Sequence, residues 1–366
     1  MPISDLNKAR LDDILSRELY EIPDTGPVVT LEPGQDISYA IENAPAGGII
    51  VLKNGDHPAI GKVKHSAGVT VMAENKSGAK IQGTSGDTMS MNDGALIAHT
   101  LFRGLDMQAG GRSMLTTLSD TGSGYDVAFE DCSIDGGWNH DTNTGTDWGP
   151  YTGKWGLNPH RWAGYAARCD FKNIRREHGI YCHTPMNDIL LYECRFMRNG
   201  RTGSQFVGRN GEAGFSPFQL DVISCFYDDN GLGDGGQSLT AGGMRYIHVQ
   251  DSQFAIGRDR DFRARYMQNH PWENIYGEAH FVNWSDKGRQ DLTDAVEFSG
   301  TNWFYNYPGD GAGTPVMVKN AKEFIASGNL HIIRSESKTA IELGTGMALS
   351  PAPDLRVDIK GKVVWV

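Results

Sequence analysis

One short phrase recurs along the chain and limits what it can fold into. Two apolar residues alternate, a small residue follows two places later, and a further apolar residue stands two beyond that. Aligned on the small residue, it reads VAFEDCSI at Cys132, ILLYECRF at Cys194, LDVISCFY at Cys225 and IHVQDSQF at Ser252. ARCDF at Cys169 is a weaker copy, and LFRGLDM at Leu105, VEFSGTNW at Thr301 and FIASGNLH at Asn329 are looser ones. The spacings are 27, 37, 25, 31, 27, 49 and 28 residues. A period in the twenties, interrupted by insertions, is the mark of a solenoid.

Alternation with a period of two inside each phrase indicates strand rather than helix. One copy is too short to bury a face alone, so the copies must stack. HGIYCHTPMNDILLYEC (178–194) aligns without a gap on GQSLTAGGMRYIHVQDS (236–252), and each holds two strands and a turn, with a third strand after the Cys or Ser. Three short strands per coil with no intervening helix predict an all-β parallel β-helix of about nine to eleven coils. Cys132, Cys169, Cys194 and Cys225 are expected to stack along one inward edge as free, buried thiols. Five cysteines without a CxxC motif give neither a disulfide framework nor a zinc site.

The 46 glycines suit a chain that turns every few residues. A net charge of −11 argues against nucleic acid as a partner, and no apolar run is long enough for a transmembrane helix. The opening MPISDLNKARLDDILSREL lacks the apolar stretch of a signal peptide and reads as an amphipathic helix, with Leu6, Leu11, Ile14, Leu15 and Leu19 on one side. Residues 1–30 are therefore read as a helix and lead-in, and 31–366 as the solenoid.

The segment LEPGQDISYAIENAPAGGIIVLKNGDHPAI (31–60) resembles the opening of pectin-lyase-like right-handed β-helix proteins, in which a strand and Pro-Gly lead into a short capping helix, here about Asp36 to Ala44. The resemblance implies a right-handed single-stranded solenoid whose small-residue ladder lies between the second and third strands. It also implies that the strand after the third borders a substrate groove. That register places groove strands at 179–183, about 204–208, 237–241 and about 279–283. Tyr181 and His183 then point outward by alternation, as do Glu278 and His280. The paired aspartates and Gly-His-Gly of polygalacturonase-like hydrolases are missing, so function has to be read from the site.

Both long spacings enclose insertions near that groove. Residues 138–162 carry Trp138, Trp148, Trp155 and Trp162, and residues 258–278 mix four arginines, Arg263 among them, with aromatics including Trp272. Long loops in compact folds are usually functional, and exposed aromatic rings suit stacking on sugars, though the same rings can pin the loops to the barrel. Between Arg168 and Arg209 eight basic residues face four acidic ones, which suggests an anionic ligand beside Arg176 and Arg209.

Three functional readings follow. A lyase cleaving a uronic-acid polysaccharide by β-elimination would use Tyr181, His183, His178 and Arg209, with Arg176, the four tryptophans, Arg263, Trp272, Glu278 and His280 binding substrate. A glycoside hydrolase would need paired carboxylates such as Asp228 and Asp229, Asp234, or Glu273 and Glu278. A non-catalytic carbohydrate-binding or phage-tail adhesin is the third. The sequence requires no cofactor and is compatible with calcium; the metal ligands are unknown. A polysaccharide is the expected partner, the chain is expected to be monomeric or homotrimeric, and an extracellular or virion-associated location is expected.

Overall fold

A computed structural model describes residues 2–17, 20–22, 26–91, 98–117, 125–138, 153–185, 187–208, 218–231, 237–255, 279–281, 293–306, 316–319, 321–334, 341–344, 356–359 and 363–365. In strands 279–281 and 341–344 and beyond, the backbone alone is described. The strands form three sheets of twelve, eleven and ten strands, here A, B and C, and every pairing is parallel. Each coil of chain gives one strand to each sheet in turn, and the result is a right-handed parallel β-helix.

The turn from sheet A to sheet B explains the recurring phrase. The residue before each small residue adopts a positive φ: Gly104 (66°), Asp131 (55°), Arg168 (52°), Glu193 (50°), Ser224 (53°) and Asp251 (49°). This left-handed bend turns the next side chain inward. Leu105, Cys132, Cys169, Cys194, Cys225 and Ser252 consequently occupy successive rungs, as the flanking pairings Glu130↔Ala167 and Ser133↔Asp170 and their successors require. All five cysteines are free and buried. In the later coils the sequence alignment is off by one. Thr301 pairs with Asn329, but the inward position falls on Asn302, whose Oδ1 accepts from the Ser252 N–H at 3.0 Å, because the turn through Gly300 carries one more residue.

Inside sheet B a column of rings runs along the axis. Phe171, Phe196, Tyr227, Phe254 and Phe304 stack with centroid separations of 4.9, 4.7, 4.9 and 4.8 Å, each ring within 11° of parallel to the next. The spacing equals the strand separation of about 4.8 Å, so one aromatic per rung fills the tube without strain. A second polar column closes the turn from sheet B to sheet C: Asn199 donates Nδ2 to Asn230 Oδ1 (2.8 Å) and to the Phe171 carbonyl (3.1 Å), and Asn230 donates to the Phe196 carbonyl (2.9 Å).

Helix α2 (Ile37–Asn43), capped by Asp36, inserts Ile37 and Ile41 into the core and covers the open first coil. Helix α1 (Asp5–Ser16) lies outside sheet A and departs from the expected amphipathic face. Ile14 is buried and Leu11 packs beside it, but Leu6 and Leu15 are exposed by 40% and 41%, and Leu19 lies outside the described residues. Polar clamps set the orientation instead. Asn7, fully buried, donates to Asp221 Oδ2 (2.7 Å) and the Ile189 carbonyl (2.9 Å). Arg10 reaches the carbonyls of Asp188 and Ala163, Arg17 pairs with the buried Glu130, and Tyr20 donates to the Ala73 carbonyl (2.6 Å). From Asn7 to Tyr20 the chain thus descends across the rungs of Asp221, Ile189, Ala163, Glu130 and Ala73.

Candidate functional site

The strands Ile180–His183, Ser204–Val207, Leu239–Gly242 and Ala279–Phe281 pair consecutively in sheet C, in the register expected for the groove. Ile180 and Cys182 are buried, and Tyr181 and His183 face outward and are partly exposed. One outward row runs Tyr181, Gln205 and Thr240 in adjacent rungs, and the backbone of His280 pairs next in register. On the other side of Tyr181, the Leu157–Ile180 pairing brings Asn158 alongside, and His160 bridges to His183. Neutral amides therefore flank the tyrosine, one rung of about 4.8 Å to either side.

The imidazoles and the phenol form one contiguous stack. His160 and His183 lie parallel at 5.2 Å, Tyr181 meets His183 edge-on at 4.4 Å, and His178 stacks on Tyr181 at 4.9 Å. His178 is 2% exposed, with Nε2 3.5 Å from Glu177 Oε2. Burial, with Arg201 and His183 nearby, pushes its pKa well below the ordinary histidine value, so it is a neutral ring that supports Tyr181 from beneath.

The tryptophans divide. Residues 155–158 of the first insertion are not loop but a strand of sheet C, between Ser113–Thr117 and Ile180–His183. Trp155 on it is partly exposed, with Lys154 Nζ 3.9 Å above its ring. Trp162 is 0% exposed, belongs to the core and donates Nε1 to the Val127 carbonyl at 2.7 Å, so it cannot stack on a sugar. Trp138 is likewise buried, beneath the Arg175 guanidinium 5.9 Å from its ring. Both serve the packing for which large aromatics are suited, not ligand contact. Trp148, Arg209, Arg263, Trp272 and Glu278 lie outside the described residues, and of His280 only the backbone is described.

The local basic surplus is largely neutralised. Arg168 forks onto Asp131 (3.0 Å twice), Arg195 onto Asp170 (2.6 and 2.5 Å), Lys172 faces Asp135 (3.8 Å) and Arg201 faces Glu177 (3.1 Å). Asp170, Lys172 and Arg195 stand on sheet B, away from the groove. Arg176 is exposed just before the Ile180–His183 strand. Of the carboxylates considered for hydrolysis, Asp228 ends a sheet B strand and Asp229 is buried at a positive-φ turn (48°); Asp234, Glu273 and Glu278 lie outside the described residues. Among the described residues no three metal-ligating side chains cluster, and no helix is long and apolar enough to cross a membrane.

Asn158, His160 and Gln205 are site neighbours that the sequence reading did not single out. The interval from Tyr181 to Gln205 follows once the pairing of Ile180 with Ser204 is fixed, so register was the signal that could have found them.

No protein-family model and no curated protein sequence matches the chain. Among solved structures, the mannuronan C-5 epimerase AlgE4 A-module of Azotobacter vinelandii is similar over 92% of this chain and 94% of its own, at 12% identity and TM-score 0.46. ORF18 of Geobacillus virus E2 is similar over 100% and 66%, at 13% identity and TM-score 0.44. A PL6 alginate lyase in complex with a trisaccharide is similar over 89% and 62%, at 14% identity and TM-score 0.41. The likeness is one of fold.

Proposed function

We propose that the outer face of sheet C acts on polysaccharide, and that it cleaves a uronic-acid polymer by β-elimination. The observation that carries this reading is the Tyr181–His183 pair, edge-on at 4.4 Å, set in register between the partly exposed Gln205 and Asn158, which is 6% exposed. Elimination needs a group to remove the proton beside the sugar carboxylate, a group to protonate the departing oxygen, and donors for the charge that builds on the carboxylate. Tyr181 and His183 serve the two proton transfers. The amide N–H group of Gln205 meets the carboxylate, with Arg176 supplying positive charge from the rim and Arg209 assigned the same role.

A hydrolase would require two carboxylates across the scissile bond, whereas the register positions beside Tyr181 hold amides and imidazoles. The elimination reading is therefore preferred to hydrolysis. No cofactor is invoked, and calcium would be an aid to carboxylate binding.

The test is incubation with alginate, pectate and other uronic-acid polymers, followed by ultraviolet absorbance of the unsaturated product. Tyr181→Phe and His183→Ala should each lower turnover by roughly 10²–10⁴-fold with binding retained. Two folded variants that cleave at the parent rate would place catalysis elsewhere. New reducing ends without absorbance would mean hydrolysis, and saturable binding without cleavage would mean an adhesin.

A further inference from the structure

We propose that Asp221, His248 and Ser299 form a second, ester-cleaving site on the outer face of sheet A. They stand on three consecutive strands, Gln219–Ile223, Tyr246–Gln250 and Thr293–Ser299, in the register Asp221↔His248 and Gln250↔Ser299. His248 Nδ1 is 3.0 Å from Asp221 Oδ1, and its Nε2 is 2.7 Å from Ser299 Oγ. The Asp221 carboxylate can only accept, so Nδ1–H donates a hydrogen bond to it and the Nε2 lone pair is left for the Ser299 hydroxyl. This is the order nucleophile, base, orienting carboxylate by which serine hydrolases are recognised on unrelated folds.

The supports of the three residues fit those roles. Asp221 is fully buried and fixed by Gln219 Nε2 (2.8 Å) and by Asn7 Nδ2 of α1 (2.7 Å). His248 is 2% exposed, whereas Ser299 is partly exposed, so the base is shielded and the nucleophile reaches the surface. Ser299 ends its strand, and Gly300 beyond it (φ 61°) turns the chain toward sheet B, so the hydroxyl stands at a corner of the solenoid. Glu297, the other carboxylate beside His248 in the register, accepts a hydrogen bond from Ser327.

Ser299 Oγ adds to the ester carbonyl carbon as its proton passes to His248 Nε2. The departing alcohol oxygen takes that proton and leaves an acyl group on Ser299. Water then attacks the acyl carbon, again giving a proton to Nε2, and the acid leaves as the serine regains its hydrogen. Ester and water become alcohol and acid, with no other reactant. Gly300 packs against the Asp251 carboxylate and Gly328 against the Gly300 backbone, so the ester is presented to Ser299 from solvent, and the substrate class is an exposed carboxylic ester, such as an O-acyl group carried by a polymer. This site is independent of the sheet C reading.

The test uses the full chain with p-nitrophenyl acetate as substrate and a fluorophosphonate as covalent label. Hydrolysis above the buffer rate and labelling of Ser299, read by peptide mass, are expected. Ser299→Ala and His248→Gln should each lower the rate by about 10³-fold or more, while Ser133→Ala, a partly exposed serine on sheet B, keeps it. Asp221 acts through His248, so Asp221→Asn should lower kcat with KM unchanged. Melting curves confirm that each variant is folded, and Ser299→Ala removes only one partly exposed hydroxyl. Hydrolysis by the folded full chain at no more than the buffer rate, a label on another residue, or full activity in Ser299→Ala would overturn the proposal.

Discussion

Replacing Phe196 by alanine probes the ring column directly. Phe196 is fully buried, with Phe171 at 4.9 Å on one face and Tyr227 at 4.7 Å on the other. Buried Phe→Ala changes cost about 3–5 kcal/mol, and each aromatic pair is worth about 0.5–1.5 kcal/mol beyond burial. With both faces stacked, Phe196→Ala belongs at the upper end, about 5 kcal/mol. Phe171 stacks on Phe196 on one face, but its register partner on the other side is Ile134, so Phe171→Ala should cost about 1 kcal/mol less. Urea unfolding followed by circular dichroism, with linear extrapolation, measures both. Because each coil touches only its neighbours, the Phe196 variant should also unfold with transitions that differ between circular dichroism and tryptophan fluorescence. A loss below about 2 kcal/mol, or a Phe171 variant that is the less stable of the two, would refute the reasoning.

Asn7→Ala removes the amide donor from the Ile189 carbonyl and leaves Asp221 Oδ2 only the longer contact from the Ser4 N–H (3.5 Å); a loss of about 2–4 kcal/mol and faster amide exchange throughout α1 are expected, read by denaturation and hydrogen exchange. Because the folded-state pKa of His178 lies below its unfolded value, the unfolded chain takes up the proton first as pH falls. Stability should therefore drop below about pH 6.5, by up to about 1.4 kcal/mol per pH unit, and His178→Gln should remove that slope in acid denaturation. Burial holds the thiols of Cys132, Cys169 and Cys194 well above the ordinary cysteine range, so stability should fall as pH rises past about 8.5, where only the unfolded thiols ionise. A Cys169→Ser variant should show a shallower alkaline limb in the same titration.

Much of the fold was legible because one periodic signal fixed everything tied to it. The spacing of the small residues, joined to the resemblance at the capping segment, placed the strands of sheet C, and alternation from Ile180 placed Tyr181 and His183 outside. More could have been drawn from the same numbers. Arg168 and Asp131 are separated by the interval between Cys169 and Cys132, and Arg195 and Asp170 by that between Cys194 and Cys169; an ion pair across one rung was implied in each case. Asn199-Gly200 and Asn230-Gly231 repeat at the interval from Cys194 to Cys225, which announces the asparagine column. The strand at Trp155–Asn158 was hidden because its flanks are rich in Gly, Asn and Trp and show little alternation, and only the partners on either side make it a rung. The burial of Trp162 rests on a carbonyl 35 residues away, and the face of α1 on Asp221, 214 residues away. Neither long-range contact leaves a trace in a local pattern, and Leu6 and Leu15 therefore looked like core.

The path of α1 has a consequence for biosynthesis. The helix leaves the ribosome well before its partners, because the groups that hold Asn7 belong to strands that appear 182 and 214 residues later. At about 5–20 residues per second, on the order of ten to forty seconds pass before Asp221 is made. During that interval Leu101, Ala128, Tyr165 and Leu190 face outward on coils already stacked, without the cover that Leu11 and Ile14 later provide. The helix thus settles only after the strands that follow it, and its docking requires that the rungs from Ala73 to Asp221 be complete and in register. A chain stalled or slipped before that point keeps both its helix and an apolar sheet face open to chaperones, proteases and other nascent copies.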